Sequence, residues 1–335
     1  MQRGIEMNRW LSFYYPTTVV FVDDEKNFLL ALQNRIPSDL SCKLFHNPME
    51  ALDFIDSGKS LISNKLEHPF LLDDQLNESE PDILGVGVKF DSFVQSIYDL
   101  NRFSTLSVVI VDYMMPELNG IDFCKRLNGH PIKKIMLTAN ADHAMAVQAL
   151  NNGIIDCFLV KDSPNLVAEL TQKIDLLQKS YFHGQLDRVF GGLFEKLNLL
   201  NDPVVVDFYE KLRKELNAIE FYLLDRFGSV LFVDRNGIAI TLAVCSKKDL
   251  EVFSQIAEDQ DEVEISKKLI EFQKLIFFPN KAACLLPASE WIQYLHPATP
   301  FPGNTDLFYA IIKEPLSQPV DIRKICSKSS HEKSQ

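Results

Sequence analysis

The stretch Asp112-Tyr-Met-Met-Pro-Glu-Leu-Asn-Gly120 follows directly on the apolar run at residues 107–111. A continuous apolar run of this length is typical of a strand that is buried on both faces. The proline and the Asn-Gly pair that come next predict that the strand ends in a loop. Asp112 is therefore expected where a buried strand meets solvent. One such acid means little alone, so its significance depends on the polar residues that the fold brings to it.

The sequence on either side of this stretch alternates between apolar runs and helical patterns. The runs lie at residues 18–22, 43–45, 107–111, 134–137 and 157–160. Each is followed by a segment whose apolar residues recur every three to four positions, as on one face of a helix. Five continuously apolar strands that alternate with five helices predict an α/β domain with a parallel sheet covered on both faces.

Polar residues stand at the carboxyl ends of four of these predicted strands. They are Asp23 and Asp24 after the first strand, Asp112 after the third, Thr138 after the fourth and Lys161 after the fifth. Ligands of parallel α/β sheets bind beyond the carboxyl ends of the strands. The sequence therefore predicts one site at this edge of the sheet.

The residue types at this edge favour phosphoryl chemistry. Two carboxylates about 4 Å apart repel each other by about 4 kcal/mol at an effective dielectric near 20. A divalent cation with oxygen ligands relieves this repulsion, and Mg²⁺ suits a few carboxylates supplemented by water. A lysine and a hydroxyl can hold phosphoryl oxygens. A carboxylate nucleophile, a metal and a cationic side chain are the parts that phosphoryl transfer requires.

With these motifs, residues 18–179 resemble the receiver domain of two-component response regulators, which has a flavodoxin-like (βα)5 fold. The resemblance is carried by the doublet Asp23-Asp24, the run at residues 112–120, Thr138-Ala139, and Phe158-Leu-Val-Lys161. It implies that Asp112 accepts a phosphoryl group from a cognate histidine kinase. It also implies that Mg²⁺ is bound by Asp24, Asp112 and the Met114 carbonyl, with Asp23 a ligand directly or through water. Thr138 and Lys161 would hold the phosphoryl oxygens, and Thr138 and Phe158 would form the switch pair.

Two features depart from the family pattern. Asp162 follows Lys161 where the family often has proline, which leaves the geometry of that peptide bond, cis or trans, open. The distance from Asp24 to Asp112 is 88 residues (112 − 24), whereas a strand–helix–strand unit takes about 30. We interpret residues 57–88 as an inserted surface loop.

The composition limits the remaining possibilities. A chain of 335 residues has room for two domains, and its net charge of −12 argues against a broad nucleic-acid interface. No apolar run reaches the roughly 18 residues of a membrane span. The apolar patch within the N-terminal segment, residues 1–17, is too short for a secretion signal. Both observations predict a cytoplasmic protein. The six cysteines show no Cys-x-x-Cys spacing and are expected to be free thiols.

The second half of the chain is expected to be an output region. Residues 180–218 predict a helical linker, in which a short coiled-coil seam and packing within one chain remain alternatives. Residues 219–320 show strands, then helices, then strands, which predicts a smaller α+β domain. Its first hairpin, FYLLDRFGSVLFVDRNG, is similar to that of a PAS-like sensor domain. Residues 321–335 are expected to form a flexible tail. No signature of an output enzyme is present in the sequence.

The sequence therefore favours a non-enzymatic, phosphorylation-switched regulator whose output is dimerisation or another protein–protein contact. The overall layout resembles receiver/PAS-like regulators of quorum-sensing circuits. The alternative is a transcriptional regulator with an unrecognised DNA-binding surface, which salt-sensitive binding to duplex DNA would reveal. A phosphohydrolase with Asp112 as nucleophile is disfavoured, because position 114 is methionine and not a second acid.

Overall fold

The computed structural model describes residues 10–11, 13–38, 40–57, 97, 99, 101–139, 142–190, 198–279 and 281–313. These residues fall into two compact units. The parallel-sheet unit comprises the described residues of 15–57 and 99–190, and the antiparallel-sheet unit comprises those of 10–14, 97 and 198–313. Apart from Ser57, the predicted insertion at residues 57–88 lies outside the described residues, as does the predicted tail at residues 321–335.

The antiparallel-sheet unit contains the first strand of the chain, β1 (Phe13–Tyr14). β1 pairs with a strand more than 200 residues further on, with Phe13 opposite Tyr222. The Trp10 ring lies 5.4 Å from that of Tyr209 and 4.6 Å from that of Phe221. The described residues of 10–14, which are part of the predicted N-terminal segment at residues 1–17, therefore contribute to this unit. The side chains of Trp10, Phe13 and Tyr14 are buried, because leaving so much apolar surface in water is unfavourable.

The parallel-sheet unit is built on five strands in the order β3-β2-β4-β5-β6. Their bounds are Thr18–Val22 (β2), Cys42–Phe45 (β3), Leu106–Asp112 (β4), Lys133–Thr138 (β5) and Cys157–Val160 (β6). All four neighbouring pairs are parallel. Every residue of the central strand β4 is buried, which explains its continuously apolar sequence. The predicted flavodoxin-like parallel sheet is confirmed.

Helices cover both faces of this sheet: α1 (Lys26–Arg35), α2 (Pro48–Asp56), α3 (Gly120–Arg126), α4 (His143–Asn151) and α5 (Leu166–Phe190). Successive residues of β4 point to opposite faces of the sheet. Val109 packs with side chains from α2, α3 and α4, and Val108 packs with side chains from α1 and α5. Helix α5 continues well beyond residue 179, where the predicted helical linker begins. Tyr181, Phe182 and Leu186 continue its buried face, so the apolar spacing that defines the helix does not stop at residue 179.

The antiparallel-sheet unit has the strand order β1-β7-β8-β9-β13-β12, and β10 and β11 form a separate pair. Its elements in chain order are α6 (Pro203–Glu215), β7 (Ala218–Leu223), β8 (Val230–Asp234), β9 (Ala239–Ser246), α7 (Lys247–Asp259), α8 (Val263–Ile270), β10 (Lys274–Ile276), α9 (Lys281–Cys284), β11 (Leu295–Pro297), β12 (Thr299–Pro300) and β13 (Leu307–Ile312). Gly237, with φ 77°, lies in the tight turn between β8 and β9 that the Asn-Gly pair predicts. The resemblance to a PAS-like domain is not confirmed.

None of the helices in the described ranges combines the length and the apolar content that crossing a membrane requires.

Candidate functional site

The carboxylate of Asp112 lies at the carboxyl end of β4, beside the ammonium group of Lys161. Asp112 is the last residue of β4 and is paired in register with Leu137 of β5. Its side chain is only 7% exposed, and its Oδ1 lies 3.1 Å from Lys161 Nζ. Lys161 directly follows β6, and its backbone N–H donates to the carbonyl of Thr138 (2.9 Å). The parallel register thus brings an acid and a base that are 49 positions apart (161 − 112) to one sheet edge.

Two further acids come to this edge from the end of β2. Asp23 is almost fully buried, and its Oδ2 lies 2.7 Å from Lys161 Nζ. Its other oxygen, Oδ1, accepts from the backbone N–H of Glu25 (3.0 Å). Asp24 is exposed. Each of Asp23, Asp24 and Asp112 offers a carboxylate oxygen, and these three oxygens lie within 4.8 Å of one another. The structure therefore brings together the three acids that the sequence singles out.

Burial disfavours the ionised form of the acids in this group. Burial raises the pKa of Asp112 to about 6; the neighbouring Lys161 opposes this rise, and Asp23 adds to it. Burial also raises the pKa of Asp23, again against the effect of Lys161. Burial alone would lower the pKa of Lys161, but the two carboxylates outweigh it and raise that pKa. One ammonium group thus balances more than one buried carboxylate, which leaves an excess of negative charge.

This donor set fits a divalent cation. Three carboxylates within reach of one another supply the oxygen ligands that Mg²⁺ requires, and their mutual repulsion would be relieved by added positive charge. The exposure of Asp24 leaves one side of the group open to solvent, from which Mg²⁺ would retain water ligands. The acidic pocket is thus of the kind in which receiver domains bind Mg²⁺.

The two predicted switch residues occupy neighbouring strands. Thr138 is fully buried at the end of β5, and its hydroxyl donates to the Ala139 carbonyl (3.0 Å). Phe158 of β6 is half-buried, and its ring centroid lies 5.0 Å from that of His143 in a T-shaped arrangement.

The Lys161–Asp162 peptide bond is trans, which answers the question left open by the missing proline.

Gly120 determines how closely the loop after Asp112 can approach the strand. Asn119 caps α3 by accepting from the backbone N–H of Asp122 (2.9 Å), so the Asn-Gly pair begins a helix and does not form a free turn. The Gly120 N–H donates to the Tyr113 carbonyl (2.9 Å). A Cβ at position 120 would clash with the carbonyl oxygen of Asp112 and would lie 3.1 Å from the Tyr113 Cα.

A Gly120→Ala variant is therefore expected to lose about 1–3 kcal/mol of stability, because the clash is with backbone atoms that cannot rotate away. Chemical denaturation of the purified protein measures this loss. Gly184→Ala is the matched control: Gly184 is an exposed residue within α5 with open space around it, so alanine should be neutral or stabilising by up to about 1 kcal/mol. Equal effects of the two substitutions would contradict this interpretation.

Sequence reasoning missed two contacts of the site. The apolar spacing of the first helix places Phe28 on its buried face, but does not indicate that its ring centroid lies 4.6 Å from Lys161 Nζ. The contact of His143 with Phe158 was missed entirely. Helical periodicity shows which face of α1 is buried. It does not show which side chains from distant strands contact the residues of that face. No signal in the sequence identifies either contact.

Three comparisons with known proteins agree with this geometry. A family model described as response regulator receiver domain matches residues 72–175. This range contains Asp112, Thr138 and Lys161, whereas Asp23 and Asp24 precede it. The response regulator RppA of Synechocystis sp. is 32% identical over 81 residues, which is 24% of this chain and 33% of RppA. The chain thus matches only about a third of the length of that curated relative.

The third comparison extends over both units. The solved structure of the Legionella pneumophila response regulator LqsR is 29% identical to this chain, with a TM-score of 0.72. The likeness covers 94% of this chain and 92% of the LqsR chain. It therefore includes residues 198–313 of the antiparallel-sheet unit, which lie beyond the range of the family model. Together with the five-stranded parallel sheet and its acidic edge, these matches show that the chain contains a response regulator receiver domain.

Proposed function

We propose that this protein is a response regulator of a two-component phosphorelay that accepts a phosphoryl group on Asp112 from a histidine kinase. The observation that supports this most strongly is the position of the Asp112 carboxylate, which lies 3.1 Å from the Lys161 ammonium group and within 4.8 Å of two further acids. An oxygen of Asp112 attacks the phosphorus atom, and the bond from phosphorus to the donor nitrogen breaks. The product is an acyl phosphate, and the released histidine side chain takes up a proton.

The residues around Asp112 have separate parts in this reaction. Lys161 directs its ammonium group at the Asp112 carboxylate and is placed to bind an oxygen of the transferred group. The Thr138 hydroxyl donates to the Ala139 carbonyl in the structure, so it must rotate to donate to the phosphoryl group. Rotation of Thr138 and rearrangement of Phe158 are proposed to carry the change to the surface around α4, β6 and α5.

Asp23, Asp24, Asp112 and the carbonyl of Met114 are proposed as the protein ligands of Mg²⁺, which when bound would supply positive charge to the phosphoryl oxygens. Asp23 would act as a ligand directly or through a water molecule. Because Lys161 already lies 2.7 Å from Asp23 Oδ2, this carboxylate has to serve both the ammonium group and the cation.

Phospho-labelling tests the proposal. The full-length protein is incubated with Mg²⁺ and a small phosphodonor such as acetyl phosphate, and phosphorylated and unmodified forms are separated by affinity electrophoresis. We expect a labelled fraction for the wild type, and none for Asp112→Asn or when the metal is chelated. A wild type that stays unmodified under conditions that label another receiver domain would contradict the proposal.

The antiparallel-sheet unit is proposed to act as a non-enzymatic output domain through protein–protein contact. A phosphoryl group brings about −1.5 to −2 charges to the acidic edge, which is enough to shift a two-state element. We expect phosphorylation to promote dimerisation, and light scattering of matched phosphorylated and Asp112→Asn samples measures it. One unchanged mass in both samples would refute this part of the proposal.

The cellular role follows as part of the same proposal. The likeness to LqsR extends over the antiparallel-sheet unit as well as the receiver domain, and the layout matches the resemblance to quorum-sensing regulators noted from the sequence. We therefore place the protein in the cytoplasm, in a quorum-sensing type of circuit. The parallel-sheet unit would receive the signal, and the antiparallel-sheet unit would transmit it.

A further inference from the structure

The ring of Phe28 faces the ammonium group of Lys161. Phe28 lies in the first turn of α1, and its ring centroid is 4.6 Å from Lys161 Nζ. The side chain is half-buried and packs against the core cluster that contains Leu29 and Leu32 of the same helix. The ring is therefore held by the core and presents one face to the site.

Two acids and one aromatic ring lie beside the ammonium group at this edge. Asp23 Oδ2 lies at 2.7 Å and Asp112 Oδ1 at 3.1 Å, while the Phe28 ring provides a face without formal charge. Only 18% of the Lys161 side chain remains exposed. A partly desolvated cation within about 6 Å of a ring centroid is attracted by the negative face of the ring.

We propose that Phe28 is a positioning residue of the phospho-acceptor site, whose ring holds the Lys161 ammonium group at the sheet edge through a cation–π contact. This inference rests on the proposed function of Asp112. Phe28 does not touch the reacting atoms; it acts by restricting where the flexible four-carbon side chain of Lys161 places its charge.

The ring attracts the Lys161 ammonium group in a way that does not depend on the charge of the two acids. The attraction of Asp23 and Asp112 for the ammonium group is weakened when a cation binds to the same carboxylates, and it changes again when Asp112 is phosphorylated. The attraction of the ring depends on none of these charges. Phe28 thus keeps Lys161 at the edge while its partners change, so a larger fraction of molecules has the ammonium group in place for phosphoryl transfer.

The first test replaces Phe28 with phenylalanines that carry one to several fluorine atoms, introduced into the full-length protein. Fluorine withdraws electron density from the ring face but changes its size little, so packing is nearly retained while the cation–π attraction falls. We expect the rate of labelling by acetyl phosphate to fall with each added fluorine, by about two-fold to thirty-fold over the series. The same replacements at Phe54, half-buried on α2, serve as the matched control and should leave the rate unchanged.

A rate that does not change along the Phe28 series, in a protein whose Asp112 is labelled, overturns this inference alone. A wild type that is not labelled overturns the proposed function and the inference with it. The two failures are therefore distinguishable.

A second readout requires neither metal nor phosphodonor. Unfolding equilibria of the metal-free protein are measured for Phe28→Leu, Lys161→Met and the double variant. We expect Phe28→Leu to shift the unfolding equilibrium two-fold to thirty-fold more in the presence of Lys161 than in the Lys161→Met background. Equal shifts in both backgrounds would show that Phe28 only fills the core, and would overturn the inference.

Discussion

A Lys161→Met variant is expected to lose about 3 kcal/mol of stability at neutral pH in the absence of metal. The ammonium group lies 2.7 Å from Asp23 and 3.1 Å from Asp112, whose side chains are 2% and 7% exposed. Removing one partner of a buried ion pair costs about 3–5 kcal/mol, because the other charge remains buried without compensation. The lower end of that range applies, since Lys161 retains 18% exposure. Urea denaturation at pH 7 in the presence of a chelator measures the loss.

The difference between this variant and the wild type should depend on pH. Without the lysine, the buried acids are relieved only by taking up protons, so the folded form of the variant binds protons more readily than the wild type. Its relative stability therefore improves as the pH falls from 7 towards 5. Lys125→Met is the matched control, because Lys125 forms an ion pair with Asp122 on the surface, where solvent screens the attraction and little stability is expected from it. A loss for Lys161→Met as small as that of the control would contradict the account.

Asp112→Asn is expected to stabilise the metal-free protein, and to do so more at pH 8 than at pH 4.5. The pKa of Asp112 is raised to about 6 from its ordinary value of 3.8, chiefly by burial. Between these values the folded chain retains a proton that the unfolded chain has lost, so the contribution of Asp112 to stability is present at low pH and is lost as the pH rises through about 6. Asparagine carries no charge at any pH, so we expect an advantage of about 1–2 kcal/mol at pH 8 that shrinks towards pH 4.5.

Thermal melts at several pH values, with a chelator present, measure this effect. Asp122→Asn provides a control of opposite sign: the hydrogen bond from Lys125 lowers the pKa of this half-exposed acid, so its contribution is present at neutral pH and is lost as the pH falls. A stability difference between Asp112→Asn and the wild type that does not change with pH would show that Asp112 has an ordinary pKa in the folded protein.

The parallel sheet and its polar edge could be predicted because their information is local. Each strand is a short, continuously apolar run, and a right-handed strand–helix–strand connection brings successive carboxyl ends to the same edge. Once this order is known, Asp23, Asp112 and Lys161 must meet, and the structure places an oxygen of each carboxylate within 3.1 Å of the Lys161 ammonium group. The sheet therefore follows from periodicity, and the meeting of these three residues follows from the sheet.

The remaining features depend on contacts between distant parts of the chain. The pairing of Phe13 with Tyr222 joins two segments that are more than 200 residues apart in the sequence. A two-residue strand also has no periodicity that could be detected. The order of the antiparallel strands depends equally on pairings at long range, which a hairpin signal cannot supply. The clash that alanine at position 120 would cause is likewise set by the path of the loop and not by residue type.

The most direct test of the central claim is to locate the phosphoryl group. Protein treated with acetyl phosphate and Mg²⁺ is reduced with borohydride, which converts an aspartyl phosphate to homoserine, and is then digested and sequenced by mass spectrometry. We expect homoserine at position 112 and at no other aspartate in the peptides recovered. Modification of Asp23 or Asp24 in place of Asp112, or modification that persists in Asp112→Asn, would contradict it.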